Sequence, residues 1–128
     1  MFCNYIPVDG YQDYKFYIKG EESTPNFDTI HNNYEAEYWH VFNADHEIMY
    51  DFQQDEYDNL LIVKDSYSNP LGILLAQHFN KTYLYDPRHI EESLEDYISK
   101  NNIDIVLFLT HDYNFSSTYY NKFEEYIK

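Results

Sequence analysis

Three runs of polar side chains follow three predicted strands, and together they hold the residue types that nucleophilic catalysis uses. They are Asp65-Ser66, Asp86-Pro87-Arg88-His89 and His111-Asp112. A serine hydroxyl becomes a strong nucleophile when a nearby histidine takes its proton and an acid orients that histidine. Ligands of open parallel sheets bind outside the carboxyl ends of the strands, where such runs meet. We therefore expect Ser66 as the candidate nucleophile, with His111 as base and Asp86 or Asp112 as acid.

Plainer interpretations of the same residues stay open at this point. Each histidine taken singly is more often a solvated loop residue than a catalytic base. Arg88 is one of only eight lysines and arginines in the chain. It would either pair with Asp86 or hold a carboxylate of a substrate, and the pairing is the favoured interpretation.

The strands that would position these residues are legible in the second half of the chain. LLIV at 60–63 is a continuous apolar run, which is typical of a strand buried on both faces. TYLYD at 82–86 and IDIVLFL at 103–109 are the second and third predicted strands. Since each is followed by a helical pattern, the strands are expected to be parallel, with the serine strand between the other two.

The helices are predicted from periodicity and from capping residues. Asn69 is expected to cap the first helix, with Pro70 in its first turn. Its apolar residues at helical spacing are Leu71, Leu74, Leu75 and Phe79. The second helix is marked by Ile90, Leu94, Tyr97 and Ile98, with Glu91 and Glu92 at its start and Lys100 near its end. A third helix is expected at about 118–127.

This alternation predicts a three-layer α/β fold with a parallel sheet of the flavodoxin-like kind, built as β-α-β-α-β-α over residues 60–127. Residues 1–59 are irregular, aromatic and polar, with short strands predicted at 15–19, 38–42 and 47–52. At least one of these strands is expected to pair with an edge of the sheet. Edges left unpaired would favour self-association of the chain.

Length and composition exclude some classes of function. The 128 residues suggest one domain with a modest core, and the formal net charge of −15 disfavours direct contact with nucleic-acid phosphates. The same charge would suit an acidic protein that mimics nucleic acid. Sixteen tyrosines would suit stacking on sugar rings, although a general bias of composition explains them equally well and is the preferred explanation.

No metal and no cofactor are expected. Asp45-His46-Glu47 with His40 lacks the paired spacing of known metal sites, and the single Cys3 permits no zinc site built on several thiolates. Three glycines in the whole chain leave no Gly-rich loop that could hold a phosphate.

Several of these segments together resemble the C-terminal part of the DHHW protein family, which belongs with the SGNH-hydrolase-like proteins related to alginate O-acetyltransferases. The segments are LLIVKDSYSN, YLYDPRH, IEESLEDYI and NIDIVLFL, and the resemblance covers roughly residues 38–115. It implies that Ser66 matches a nucleophilic serine that carries or transfers an acyl group on a polysaccharide. The substrate-binding residues expected around it are Tyr67, Asn69, Arg88, Asp45 and His46.

The chain departs from the family pattern at the residues that would activate the serine. It contains no DHHW motif and no Asp-x-His upstream of Ser66, and Asn43-Ala44-Asp45-His46 stands where a glycine-rich GGDH segment is expected. Thr110-His111 follows the third strand in place of an expected Asn. Asp86 and His89 have the D-x-x-H spacing of many SGNH enzymes, but they lie on another strand, and we treat this spacing as coincidence.

The leading hypothesis is therefore a single SGNH-like domain, spanning residues 1–128 and forming the C-terminal part of a longer protein. Such a protein would transfer or hydrolyse acyl groups on cell-surface polysaccharide, and this chain would be inactive alone. The alternatives are a non-catalytic carbohydrate-binding or interaction module and the acidic mimic of nucleic acid. No signal peptide and no apolar run of the ~20 residues that cross a membrane are visible. A fragment would function at the cell surface and a complete chain in the cytoplasm.

Overall fold

The computed structural model describes residues 13–23 and 47–111. The strands are β1 (Lys15–Ile18), β2 (Glu21–Ser23), β3 (Ile48–Asp51), β4 (Leu60–Lys64), β5 (Lys81–Tyr85) and β6 (Ile105–Leu109), and the helices are α1 (Asn69–Ala76) and α2 (Leu94–Asn101). The strand predicted at 38–42 and the helix predicted at 118–127 lie outside the described residues. None of the helices in the described part is long and apolar enough to cross a membrane.

The strands form one six-stranded sheet in the order β2-β1-β3-β5-β4-β6. β4 pairs in parallel with β5 on one side and with β6 on the other, which confirms the predicted parallel strands and the central position of the serine strand. β3 pairs with β5 antiparallel, and β1 and β2 continue the sheet antiparallel. The expected pairing of an N-terminal strand with the sheet is thus confirmed, and the whole sheet is mixed rather than purely parallel.

β4 lies between the other two parallel strands, and every one of its residues is buried. Leu60 and Ile62 face the hydrophobic cluster that includes residues of α1, whereas Leu61 and Val63 face the cluster that includes residues of α2. Successive side chains of a strand point to opposite faces, so the two helices cover opposite faces of the sheet. A continuous apolar strand is what this double coverage requires.

Helix α1 begins one residue earlier than expected, and its inward face is not the predicted one. A 3-10 turn at Ser66–Ser68 precedes it, so Asn69 is the first helical residue and Ser68 is the cap, while Pro70 is in the first turn as expected. The buried positions are Asn69, Gly72 and Ala76. A Cβ at Gly72 would lie 3.1 Å from two methyl carbons of Leu84, so the helix approaches β5 closely on its small residues.

The predicted apolar stripe of α1 is half wrong. Leu75 and Phe79 pack against the core, but Leu71 is 42% exposed and Leu74 is 36% exposed. Four leucines and isoleucines in one short helix give more apolar surface than one face can bury, so spacing alone did not identify the buried face.

Helix α2 begins four residues later than its predicted first apolar residue. Ser93 is the cap, and its hydroxyl accepts a hydrogen bond from the backbone N of Asp96 at 3.1 Å. Ile90 instead closes a turn, because its backbone N donates to the carbonyl of Asp86 at 3.1 Å. Leu94 and Tyr97 are buried, as the periodicity indicated.

Candidate active site

The carboxyl end of β4 is tied to the residue that follows β6 by one buried carboxylate. Asp65 is 2% exposed; its Oδ1 accepts from the backbone N of Tyr67 at 3.0 Å, and its Oδ2 accepts from the backbone N of His111 at 2.7 Å. The first bond caps the 3-10 turn that begins at Ser66. The second bond fixes the loop after β6 against that turn. Ser66 and His111 therefore lie at the same end of the parallel strands.

The carboxyl ends of the parallel strands contain the topological switch point of the sheet. The chain leaves β4 for β5 on one side and returns to β6 on the other, with α1 and α2 on opposite faces. In sheets of this kind ligands bind outside the carboxyl ends of the strands at such a point. The β4–β6 boundary is therefore the place where the fold provides a crevice.

Ser66 is half-buried and is held from the β5 side by Arg88. The Nη2 of Arg88 donates to the Oγ of Ser66 at 3.1 Å. The same guanidinium donates from Nε to Oδ1 of Asp86 at 2.9 Å and from Nη2 to Oδ2 at 2.5 Å. A guanidinium fixed by two bonds to one carboxylate has little freedom left, so it approaches Ser66 in one orientation.

A buried lysine brings a second positive charge close to the carboxylate of Asp86. Lys64, the last residue of β4, is fully buried; its Nζ donates to Oδ1 of Asn69 at 2.6 Å and lies 3.6 Å from Oδ2 of Asp86. Burial by itself would raise the pKa of Asp86. The hydrogen bonds from Arg88 and the positive charges of Lys64 and Arg88 outweigh that effect and lower the pKa below its usual value.

The β6 side of Ser66 carries an aromatic pair. The rings of Tyr67 and His111 stack with their centroids 4.7 Å apart and their planes 28° apart. Ser68, buried beneath them, donates from its hydroxyl to the backbone carbonyl of Leu109. The turn after β4 is thus anchored on β6 by Ser68 and Asp65 together.

The structure brings together most of the residues singled out in the sequence. Ser66, Tyr67, Arg88, Asp86, Asn69 and His111 all lie around the end of β4. Asp86 contacts the two cations, and the carboxylate that contacts His111 is that of Asp65. Asp45, His46 and Asp112 lie outside the described residues. In residues 13–23 and 47–111, no group of three His, Cys, Asp or Glu side chains could hold a metal ion.

Sequence analysis gave no role to Lys64, to Ser68 or to the two bonds of Asp65. The signal for Lys64 was its position directly after four apolar residues, in register with the buried strand. A charge in such a position needs a buried partner, and Asp86 at the end of the neighbouring strand supplies it. The carbonyl that Ser68 reaches had no signal in the sequence, because it depends on the pairing of distant strands.

The arrangement can stabilise negative charge at Ser66, but Arg88 cannot act as a base. A guanidinium stays protonated in proteins and has no acceptor, so it stabilises negative charge on or near Oγ without taking the proton. A proton acceptor for Ser66 must come from another group, and His111 is the candidate on the β6 side.

Comparison with solved structures gives two kinds of relative. Two structures of Bacillus cereus PatB1, one of them with a sulfonyl adduct, match 62% of this chain at 35% and 37% identity, with TM-scores of 0.56 and 0.53. A DHHW family protein from Eubacterium siraeum matches 81% of the chain at 20% identity with a TM-score of 0.67. No protein-family model and no curated protein matches the chain.

The chain is related to PatB1 and shares its fold with a DHHW family protein. It spans 27–28% of the PatB1 chains and 37% of the DHHW family chain. The resemblance found in the sequence is thereby confirmed, and the α/β fold class with it. The DHHW likeness concerns the fold alone, whereas the PatB1 likeness extends to the sequence.

Proposed function

We propose that Ser66 is the acyl-accepting nucleophile of an SGNH-like domain whose protein transfers or hydrolyses acyl groups on cell-surface polysaccharide. The observation that carries the proposal is the 3.1 Å hydrogen bond from Arg88 to the Oγ of Ser66, at the carboxyl end of the central parallel strand. A solvated turn serine needs no such partner. A nucleophile needs its oxygen held in one orientation and its developing charge stabilised.

The proposed reaction has two steps. The Oγ of Ser66 attacks the carbonyl carbon of an ester, its proton passes to a base, and the bond from that carbon to the alcohol oxygen breaks as the alcohol takes up a proton. Water or the hydroxyl of a sugar then attacks the acyl-serine and releases the serine. Arg88 hydrogen bonds to Oγ, so it stabilises negative charge on this oxygen as it loses its proton in the first step and as it leaves the acyl group in the second.

The relationship to PatB1 supports this assignment. One of the PatB1 structures contains a sulfonyl adduct. Sulfonyl reagents react with activated nucleophiles, and an activated serine hydroxyl is a common target of this chemistry. Since this chain is 35% identical to that protein over 62% of the length of this chain, a serine that can accept a sulfonyl group is expected here, and Ser66 is the serine placed to provide it, reacting slowly where the activating pair is absent.

Turnover by this chain alone is proposed to be low. An intact serine triad needs a histidine that takes the proton and an acid that orients it. The sequence has no Asp-x-His before Ser66, and Asp86 is engaged by Arg88 and Lys64. The domain would then contribute the serine and the guanidinium, while the activating pair belongs to another part of the protein.

Covalent labelling tests the nucleophile without requiring turnover. The chain is incubated with phenylmethanesulfonyl fluoride, in which the Oγ displaces fluoride from sulfur and loses its proton. Intact-mass spectrometry should show one added phenylmethanesulfonyl group, and peptide mapping should place it on Ser66. Ser66→Ala should abolish labelling, and Arg88→Met should slow it.

The matched control is Ser99→Ala, an exposed position on α2, which should label like the natural chain. Labelling that persists in Ser66→Ala would remove the proposal.

A further inference from the structure

Tyr67 presents an aromatic ring at the switch point, directly beside Ser66. Although one face of its ring stacks on His111, the residue is 74% exposed. A ring covered on one face and still this exposed has its other face open to solvent. The position of this ring, at the carboxyl ends of the parallel strands and next to the candidate nucleophile, is where a ligand of such a sheet would contact it.

We propose that Tyr67, supported by His111, is a stacking platform for one neutral pyranose ring of the carbohydrate that carries the ester. The proposal rests on the proposed function of Ser66 for the identity of the bound molecule. It assigns to Tyr67 the selection of a sugar rather than of an acyl chain, and it places the sugar on the β6 side of Ser66, opposite Arg88.

The platform is held in place before any ligand binds. The backbone N of Tyr67 and the backbone N of His111 donate to the two oxygens of the same buried carboxylate, that of Asp65. The positions of both rings are therefore fixed by one side chain that is itself 2% exposed. A tyrosine has only two rotatable side-chain bonds, so little conformational entropy is lost when a ligand stacks on it.

The surroundings favour a sugar over an acyl chain. The face of an aromatic ring is electron-rich and attracts the C–H groups that line one face of a pyranose. Hydroxyl groups of that sugar need polar partners, and Arg88 and Ser66 lie on the same edge of the sheet. An acyl chain would need an apolar groove, whereas the described contacts of the turn at Ser66 and Tyr67 are with Arg88, Asp65 and His111.

Charge favours a neutral sugar over an acidic one. Lys64 and Arg88 both pair with Asp86, and the buried Asp65 adds a second carboxylate at the end of β4, so the formal charges of these four side chains sum to zero. The chain as a whole has a formal net charge of −15. An anionic sugar would be repelled during its approach and would find no unmatched cation in this set.

The sugar would also lie within reach of Ser66. Neighbouring Cα atoms are about 3.8 Å apart, and in a 3-10 turn successive side chains point about 120° apart. Ser66 faces Arg88 on the β5 side while Tyr67 faces His111 on the β6 side. Because the two residues are adjacent in the chain, we expect a pyranose stacked on Tyr67 to extend toward the Oγ of Ser66, so that an ester on its rim can be attacked.

Binding of defined sugars to the 128-residue chain tests the platform. Saturation-transfer difference NMR and titration calorimetry are performed with two probes of equal length, neutral tri-N-acetylchitotriose and anionic trigalacturonate. The natural chain should bind the neutral trimer better. Tyr67→Ala should weaken that binding roughly ten-fold, Tyr67→Trp and Tyr67→Phe should keep it, and His111→Ala should give an intermediate loss. The matched control is Tyr57→Ala, a tyrosine that is 52% exposed and lies before β4 at the opposite edge, which should bind like the natural chain.

Equal affinity in Tyr67→Ala and the natural chain, or no saturable binding of the neutral trimer, would overturn the platform. Stronger binding of trigalacturonate would overturn its preference for a neutral sugar. Loss of sulfonyl labelling at Ser66 with intact sugar binding would count against the proposed function alone, and the reverse result against the platform alone.

Discussion

Asp86 is the residue on which the site depends most. Its carboxylate, 2% exposed, receives two hydrogen bonds from the guanidinium of Arg88 and faces the buried ammonium of Lys64. Without Asp86, the buried Lys64 would lose this ion pair, and Arg88 would lose its fixed orientation toward Ser66. One carboxylate thus serves both the stability of the sheet edge and the geometry of the candidate nucleophile.

Asp86→Asn should destabilise the chain by about 3 kcal/mol, since removing one partner of a buried ion pair leaves the other uncompensated. The measurement is urea unfolding at pH 7. The matched control is Glu92→Gln, because Glu92 pairs at 3.1 Å with Lys100, whose side chain is 62% exposed. That change should cost less than about 1 kcal/mol. A loss in Asp86→Asn no larger than in the control would show that the buried pair contributes nothing.

The same carboxylate gives an acid limit to stability. Its pKa is lower in the folded chain than the usual value near 3.8, so the stabilisation is present above that value and is lost as pH falls through the folded pKa. Unfolding curves recorded from pH 7 down to pH 2 should therefore show a decline below about pH 4. The decline should be smaller in Asp86→Asn, and an equal decline in both chains would contradict this origin.

Helix α2 depends on the cap at its first turn. Ser93 accepts from the backbone N of Asp96 and donates to the carboxylate of the same residue at 2.7 Å. Ser93→Ala should cost about 1 kcal/mol of unfolding free energy. Ser99→Ala, at an exposed position within the same helix, should change it by less than about 0.5 kcal/mol. Equal effects of the two substitutions in urea unfolding would rule out the cap.

Helix α2 is also joined to the sheet by a buried tyrosine. The hydroxyl of Tyr97 donates to Oε1 of Glu47, just before β3, at 2.8 Å. Burial, and then the charge of Glu47, raise the pKa of Tyr97 above its usual value near 10. The stabilisation from this raised pKa is fully present below pH 10 and is lost as pH rises further, because only the unfolded chain ionises there.

Tyr97→Phe should therefore cost about 1 kcal/mol at pH 7, where the hydrogen bond is lost. Above pH 10 its stability should fall less steeply than that of the natural chain, by about 1.4 kcal/mol per pH unit for the one proton removed. Urea unfolding from pH 7 to pH 11 measures both effects. Tyr57→Phe, on the exposed Tyr57, is the control and should follow the natural chain. Parallel curves for Tyr97→Phe and the natural chain would contradict the prediction.

The sequence predicted a strand or helix correctly where a single local pattern of residues was enough to determine it. LLIV identified a strand buried on both faces. Because its apolar residues are continuous, they point to both sides of a strand, so both faces must be covered. Asn69 was wrong as a cap because the buried Lys64 takes its side chain, and that contact follows from tertiary structure. Leu71 and Leu74 were placed inward because periodicity does not show that Gly72 permits the closer approach to β5.

At the scale of the whole molecule, strand order explains why the candidate site is where it is. Three parallel strands with helices on opposite faces create one switch point, and the turn after β4 lies at it. Sequence predicted the three strand ends and their common edge. It also predicted that the serine strand lies between the other two, but not that the guanidinium of Arg88 donates to Ser66 or that the ring of Tyr67 stacks on His111, since these contacts depend on side-chain geometry in three separate loops.

The composition of the whole molecule also determines how much catalytic activity we expect from this chain. The chain spans 28% of the PatB1 chain with the sulfonyl adduct, and its candidate serine lies between a guanidinium that cannot accept a proton and a histidine stacked on Tyr67. Loss of a triad member leaves only residual catalysis, several orders of magnitude below an intact enzyme. Hydrolysis of p-nitrophenyl acetate by the 128-residue chain should therefore scarcely exceed the rate in buffer.

If hydrolysis above the buffer rate is nevertheless measured, its dependence on three substitutions identifies the groups responsible. Ser66→Ala and His111→Ala should each abolish it to a similar degree, because the members of a triad act as a unit, and Ser99→Ala should keep it. Turnover that survives Ser66→Ala would exclude Ser66 as the nucleophile. Turnover lost in Ser66→Ala but intact in His111→Ala would show that another group takes the proton, and His46→Ala would be the next substitution to measure, since His46 is the remaining histidine that the resemblance placed at the site.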